Sequence, residues 1–340
     1  MDKKCLTAFE GLKKLMQKTN YDGDNINIWE WWSGTALYGI IRCHEKYKES
    51  ELLDFLEKWH SKNVGMRQTG SVNRVFCACV SEYLYEIYKK EEYKDVCEEY
   101  KDWCLHSAVK TNNGGFAHVW GPDKNGVEMG PPGLENQLWI DTTLMSCVFM
   151  LRYGKYSNDK KLSDAAKEQL RIHFECLFNK KDCLCYHGYD CGTGLNIGCY
   201  WGRGNGWIAA ATAEMIRLGI RDEYVENVFK KLMQRIYDLK SVNGFVHTLI
   251  NDKSSYIEST GSALIAYAAA AAAKTGFLEE KYYGWAERIY DNISFNDKGY
   301  LDLASSGTEP NNAGVYKNIP FADLAYGNGL VMLLGSAIDG

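Results

Sequence analysis

Asp141 sits in the stretch QLWIDTTLM, with Trp139 and Ile140 before it and two threonines after it. A carboxyl held beside apolar rings loses solvation of its charged form. Its pKa then climbs toward neutrality, and it can give a proton and take one back as a general acid/base. The same position in front of an apolar helical run also suits a helix N-cap, because a carboxylate oxygen accepts from the free N–H groups of the first turn. The sequence admits both readings at once. Glu258, which opens ESTGS, reads as a cap rather than as an acid.

Arg203 lies between two glycines in YWGRGNGW. Its planar guanidinium can hold a carboxylate with two parallel hydrogen bonds, and the flanking glycines let backbone or ligand come close. GRGNG follows no predicted strand and lacks the lysine of a phosphate loop, so it does not read as a nucleotide site. His118, His187 and His247 occupy corresponding positions in a repeated loop, which points to three side chains lining one mouth rather than three unrelated core histidines. The run from Cys183 to Cys199 adds Cys183, Cys185, Cys191 and Cys199 around His187. These are zinc-ligand types, but the Cys-x-Cys start and scattered single cysteines do not match the paired arms of a structural zinc site. A metal cage and a sugar pocket both remain open on these residues alone.

Side chains so far apart in sequence need a scaffold that gathers them, and that scaffold is legible as helices. The chain has only 5 prolines. Six segments are apolar or small-residue throughout, near Trp29, Gly70, Gln137, Gly202, Glu258 and Ala325, and should be buried on most faces. Six lysine- and glutamate-rich amphipathic segments alternate with them, near residues 3–18, 49–61, 92–109, 159–178, 221–240 and 278–292. A glycine–aromatic–polar loop recurs as GGFAH, CYHGY, NGFVH and KGYLD, about one helical hairpin apart. Six hairpins predict an all-α chain, closed as an (α/α)6 barrel forming one domain over 1–340; an open solenoid is the alternative. In the barrel, the polar starts of the inner helices, with their free N–H groups and positive dipole ends, gather at one mouth suited to an anionic ligand.

Composition narrows the class. Of 340 residues, 46% are hydrophobic and 24% charged, an ordinary globular balance. The 39 basic against 44 acidic residues exclude a general nucleic-acid binder. With 10 Trp and 23 Tyr, there are more aromatics than a core needs, and aromatic faces in clefts stack on sugar rings. ALIAYAAAAAAK is too short for a membrane span, and the start of the chain has no secretory pattern. The 12 cysteines therefore read as reduced thiols in a cytoplasmic protein.

Taken in order, WEWWSGTALYG, GGFAH, QLWIDTTLM, YHGYD, WGRGNGW, ESTGSALIAYA and AYGNGL resemble glycoside hydrolase family 105, the unsaturated rhamnogalacturonyl hydrolases, with the unsaturated glucuronyl hydrolases next. The resemblance implies that Asp141 is the general acid/base. It implies that His118, His187, Trp139, Trp201, Arg203, Asn205 and Trp207 line the subsite for an unsaturated uronate, and that no metal or cofactor is needed. Asn73, in TGSVNRVF, falls where the glucuronyl relatives carry a second aspartate, which favours the rhamnogalacturonyl side. The implied partner is a small oligosaccharide with a terminal unsaturated uronate, derived from pectin. The implied reaction is hydration of the C4=C5 double bond, not the two-carboxylate cleavage that sets its carboxyls roughly 5–9.5 Å apart. The stretch from Gly121 to Gln137 reads as an expanded loop that shapes the leaving-sugar side. The alternatives are a glucuronyl hydrolase acting on other polyuronides, a sugar epimerase or isomerase using paired histidines, and a zinc enzyme resembling the lanthionine cyclases.

Overall fold

The structure, a computed structural model, describes residues 1–17, 26–122, 126, 127 and 129–339. Among the described residues, six outer and six inner helical segments alternate. Each amphipathic run forms an outer helix: α1 (Lys3–Met16), α3 (Ser50–Asn63), α6 (Glu91–Asp102), α8 (Lys160–Leu177), α10 (Glu223–Leu239) and α12 (Glu280–Asn292). Each apolar run forms an inner one: α2 (Trp31–Tyr47), α4 and α5 (Val72–Val75, Ala78–Tyr88), α7 (Thr142–Tyr156), α9 (Gly202–Arg217), α11 (Ser259–Lys274) and α14 (Ala325–Ala337). The short α13 (Ala313–Tyr316) lies in the last loop. Residue 18 of the first outer segment, and residues 123–125 and 128 of the expanded loop, lie outside the described residues.

The inner helices form a closed ring, in which α2 touches α5, α5 touches α7, and so on through α9, α11 and α14 back to α2. An (α/α)6 barrel is therefore the fold, and the open solenoid is excluded. The seam between first and last inner helices is tight because glycine meets glycine. A Cβ on Gly39 would collide with the Gly329 carbonyl, and one on Gly329 with the Ala36 backbone.

The repeated loop is a real structural unit. In three copies the first residue's N–H bonds a carbonyl four residues on, Thr111 to Gly115, Ser241 to Phe245 and Asn296 to Tyr300, at 2.8–2.9 Å. Gly114, Gly244 and Gly299 inside these turns have φ of 85°, 91° and 89°, which glycine adopts without steric cost.

The reading of the chain as nearly all helix needs one correction. The loops at the mouth hold β1 (Gln137–Trp139), β4 (Gly188–Asp190) and β5 (Leu195–Ile197) in one antiparallel sheet, and the pairs β2 (Phe178–Asn179) with β3 (Leu184–Cys185) and β6 (Val246–His247) with β7 (Ile257–Glu258). Strands of two or three residues show no period in a sequence, because alternation needs more positions than they possess.

The other end of the barrel is closed by buried charge. Glu214 on α9 accepts from Tyr38 at 2.7 Å, from Tyr267, and from Arg217 at 2.7 Å. Burial pushes its pKa up, but the charges of Arg217 and Arg42, with the hydrogen bonds, bring it down to about 2. Arg152 on α7 binds Glu82 at 2.7 Å and Glu45 at 2.8 Å. Breaking such a pair leaves unpaired buried charge, so Glu214→Gln should cost about 3–5 kcal/mol, read as a lower denaturant midpoint.

Candidate active site

The starts of α2, α4, α7 and α9 and the loop before α14 surround a cavity of about 510 Å³. Trp31, Trp32, Trp120, Trp139 and Trp201 give it an aromatic wall, and Asn73, Arg74, His118, Asp141, Arg203 and Glu309 add polar groups. A mixture of flat apolar faces and a few polar groups suits a sugar.

Asp141 is set by strand pairing. Trp139 lies opposite Gly188 in the β1–β4 register, and Ile140 donates its N–H to the His187 carbonyl at 2.8 Å. That register puts the Asp141 Oδ2 3.1 Å from His187 Nε2. Asp141 itself has helical angles, φ −57° and ψ −38°, and makes no capping hydrogen bond. The N-cap reading is thereby corrected: the carboxylate faces a histidine and the cavity rather than its own helix. The expected rise of its pKa is also reversed. Burial raises it, but the electrostatic pull and hydrogen bond of the His187 imidazole, with His118 adding, take it below the ordinary aspartate value.

His187 is fully buried, stacks on Trp201 with ring centroids 4.4 Å apart, and meets the Tyr316 hydroxyl at 2.6 Å through Nδ1. It reaches the cavity only through Asp141. His118 stacks on Trp139 at 4.3 Å, bonds Thr142 Oγ1 through Nδ1 at 3.0 Å, and is placed by its N–H bond to the Gln137 carbonyl at 2.9 Å. Burial lowers its pKa to about 4, so it is neutral at ordinary pH.

Arg203 lines the cavity, but much of its fork is engaged by the protein. Nη1 donates to the Ser305 carbonyl and hydroxyl, both at 2.8 Å, and to Thr260 Oγ1 at 3.1 Å; Nη2 donates to the Ser306 carbonyl at 2.7 Å. Glu258 Oε1 stands 3.5 Å from Nη1. Nε finds no partner among the described residues. The guanidinium lies over the Trp201 ring at 4.5 Å. Glu258 is a cap, as its sequence context suggests: it accepts from the N–H groups of Thr260 and Gly261. Its carboxylate thus closes the α11 start as an anion site, a correction to the expectation that every inner-helix start opens on the mouth.

Besides His187, which is buried behind Asp141, three expected wall residues lie elsewhere. Asn205 is buried, and its amide clamps Cys185, donating to its carbonyl and accepting from its N–H, both at 2.9 Å; it also donates to the Trp201 carbonyl. Trp207, six residues beyond Trp201 on the buried side of α9, packs against Trp31 with centroids 6.3 Å apart and does not reach the cavity. His247, held by Nδ1 to the Ser255 carbonyl at 2.6 Å in the β6–β7 hairpin, does not line the mouth. Cys185 is likewise buried behind the site, and among the described residues no three His, Cys, Asp or Glu gather as metal ligands.

Sequence reasoning missed Glu30, Arg74, Trp120 and Tyr316. Glu30 bonds Arg74 Nε at 2.9 Å on the cavity wall, and burial raises its pKa against the opposing guanidinium. The pair has no sequence spacing that links it. Met129 brings the expanded loop onto the wall, beside Trp120 just before it.

The family model of Glycosyl Hydrolase Family 88 matches residues 9–338. The chain belongs to that family. A family 88 enzyme is a glycoside hydrolase, and the resemblance carried by the seven motifs is sustained by individual relatives. The chain is 27% identical over 315 residues to the unsaturated rhamnogalacturonyl hydrolase YesR of Bacillus subtilis (strain 168), covering 89% of this chain and 88% of that one. Its fold superposes with TM-score 0.89 on a Salmonella enterica serovar Paratyphi A structure described as a possible member of the GH105 family, at 22% identity, covering 99% and 93%. The unsaturated glucuronyl hydrolase of Bacillus sp. GL1 gives TM-score 0.72 at 18% identity, covering 97% and 93%. At these identities the structural likenesses speak for the family 88 fold alone. Among the described residues no helix is long and apolar enough to cross a membrane.

Proposed function

We propose that this family 88 hydrolase hydrates the C4=C5 double bond of a terminal unsaturated uronate and so releases it from a small oligosaccharide, with unsaturated galacturonyl-rhamnose from rhamnogalacturonan as the substrate. The observation that carries the reading is the Asp141–His187 contact at 3.1 Å, opening on an aromatic-walled cavity. The name of the Bacillus subtilis relative supports the choice of substrate.

The unsaturated ring is an enol ether, so a proton delivered to C4 leaves positive charge on C5 that the ring oxygen shares. Asp141 gives that proton from its carboxylic acid form and, as carboxylate, stabilises the cation. Water adds at C5 and returns a proton to Asp141. The hemiketal then opens at the C5–ring oxygen bond, and C1 expels the remaining sugar. Trp139 and Trp201 offer faces for the flattened ring. The Arg203 charge, with its unpartnered Nε–H, stands for the uronate carboxylate. Asn73 on the same wall offers hydrogen bonds without a second acid.

The test is the ultraviolet absorbance of the conjugated uronate. Purified protein should bleach it on lyase-generated rhamnogalacturonan disaccharides faster than on unsaturated glucuronyl disaccharides. Bleaching only of the glucuronyl substrates would move the assignment to other polyuronides.

A further inference from the structure

Tyr316 lies 175 residues after Asp141, on the four-residue α13, yet its ring is fully buried against the site. Its hydroxyl has one hydrogen to give and two lone pairs. The backbone N–H of Asn311 donates to the oxygen at 3.3 Å. The Asn311 N–H can only donate, so among the described partners the hydroxyl hydrogen has one acceptor, His187 Nδ1, at 2.6 Å. Nδ1 is then an acceptor, and a neutral imidazole carries its proton on Nε2, the nitrogen 3.1 Å from Asp141 Oδ2.

The close approach is built into the chain. Gly198 has φ 78°, and a Cβ there would lie 2.7 Å from the Tyr316 hydroxyl and 2.9 Å from His187 Cβ. Trp201 stacks on one face of the imidazole, and turning the ring over in that plane would carry its nitrogens away from Tyr316 and Asp141.

We infer that Tyr316 is a positioning residue that locks His187 in the Nε2–H tautomer, so that His187 always donates to Asp141 Oδ2 and the catalytic proton is carried on Oδ1. A general acid with one oxygen held by a donor presents its proton in one direction only, toward the cavity. The inference rests on the proposed acid role of Asp141, but the tautomer itself does not depend on any substrate. The titratable and charged groups facing Asp141 and His187 are His118, Tyr316 and Cys199, with Glu30, Arg74, Arg203 and Glu309 on the same cavity wall as Asp141.

The experiment is nitrogen NMR of the histidine side chains in the folded full chain, with His187 assigned by its loss in His187→Gln, combined with pH–rate profiles of Tyr316→Phe. Wild type should show a pyridine-type Nδ1 and a pyrrole-type Nε2 at neutral pH. In Tyr316→Phe the proton should distribute onto Nδ1. Plateau kcat should fall about tenfold, short of the roughly hundredfold expected for removing the acid, with KM within about twofold. The alkaline limb of kcat should move to higher pH, because a weaker Nε2–H donation stabilises the carboxylate less. A pyrrole-type Nδ1 in wild type, or a variant with unchanged tautomer and unchanged pH limb, overturns the inference. If the protein is inactive on unsaturated uronides while the tautomer changes as described, it is the proposed function that fails and the lock that stands.

Discussion

Asp141→Asn should leave a folded protein whose turnover of an unsaturated uronide is at least about a hundredfold below wild type, the usual scale for losing a general acid. The fold should survive because Asp141 caps no helix, so no capping bond is lost with the charge. The asparagine carbonyl can accept from His187 Nε2 as the carboxylate Oδ2 does, so the local geometry has a substitute partner. What disappears is the transferable proton. Near wild-type turnover would hand the acid role to another carboxyl. Glu30 is then first in line, since it shares the cavity and burial raises its pKa, whereas Glu258 is enclosed by Thr260, Gly261 and Ser305.

The second large effect concerns Arg203. Arg203→Lys keeps the charge, yet kcat/KM should fall by at least about tenfold, because a point-like ammonium cannot reproduce the planar set of donors. Two routes lead to that loss. The guanidinium ties the loop carrying Ser305 and Ser306 to the starts of α9 and α11, and this loop continues into the cavity wall at Gly307–Glu309. It is also the buried cation on that wall, and its Nε–H has no protein partner. The methyl ester of the substrate separates the two. If Arg203 holds the uronate carboxylate, wild type should prefer acid over ester and the lysine variant should discriminate less. Equal losses on acid and ester would leave Arg203 as a tie for the loop alone.

The barrel was legible because its information is periodic. Amphipathic outer helices and apolar inner ones differ over a dozen residues each, and the recurring Gly114, Gly244 and Gly299 turns mark the hairpins. Asp141, His118, Trp139, Trp201, Arg203 and Asn73 lie on the wall of one cavity. Position within a motif did not reveal direction, however. Trp201 and Trp207 belong to the same WGRGNGW run, but only the first lies at the helix start that faces the mouth; helical rotation and depth bury the other against Trp31. Asn205 is drawn to β3, a two-residue strand with no sequence signature, and His247 to its own hairpin. Tyr316 and the Glu30–Arg74 pair depend on contacts across the barrel that no local spacing encodes. The pKa of Asp141 was misjudged for the same reason: burial was legible from the apolar neighbours, but the hydrogen bond between its carboxylate and His187 was not.

The central claim is that water adds to C5 and not to C1. The measurement that decides it is turnover of unsaturated galacturonyl-rhamnose in oxygen-18 water, with the product reduced at once to fix the label and its position read by mass spectrometry. Hydration of the double bond places the heavy oxygen on C5 of the released uronate, and Asp141→Asn should abolish that incorporation along with turnover. Label at C1 with none at C5 would mean ordinary glycosidic cleavage, and the role assigned to Asp141 as donor to C4 would be wrong.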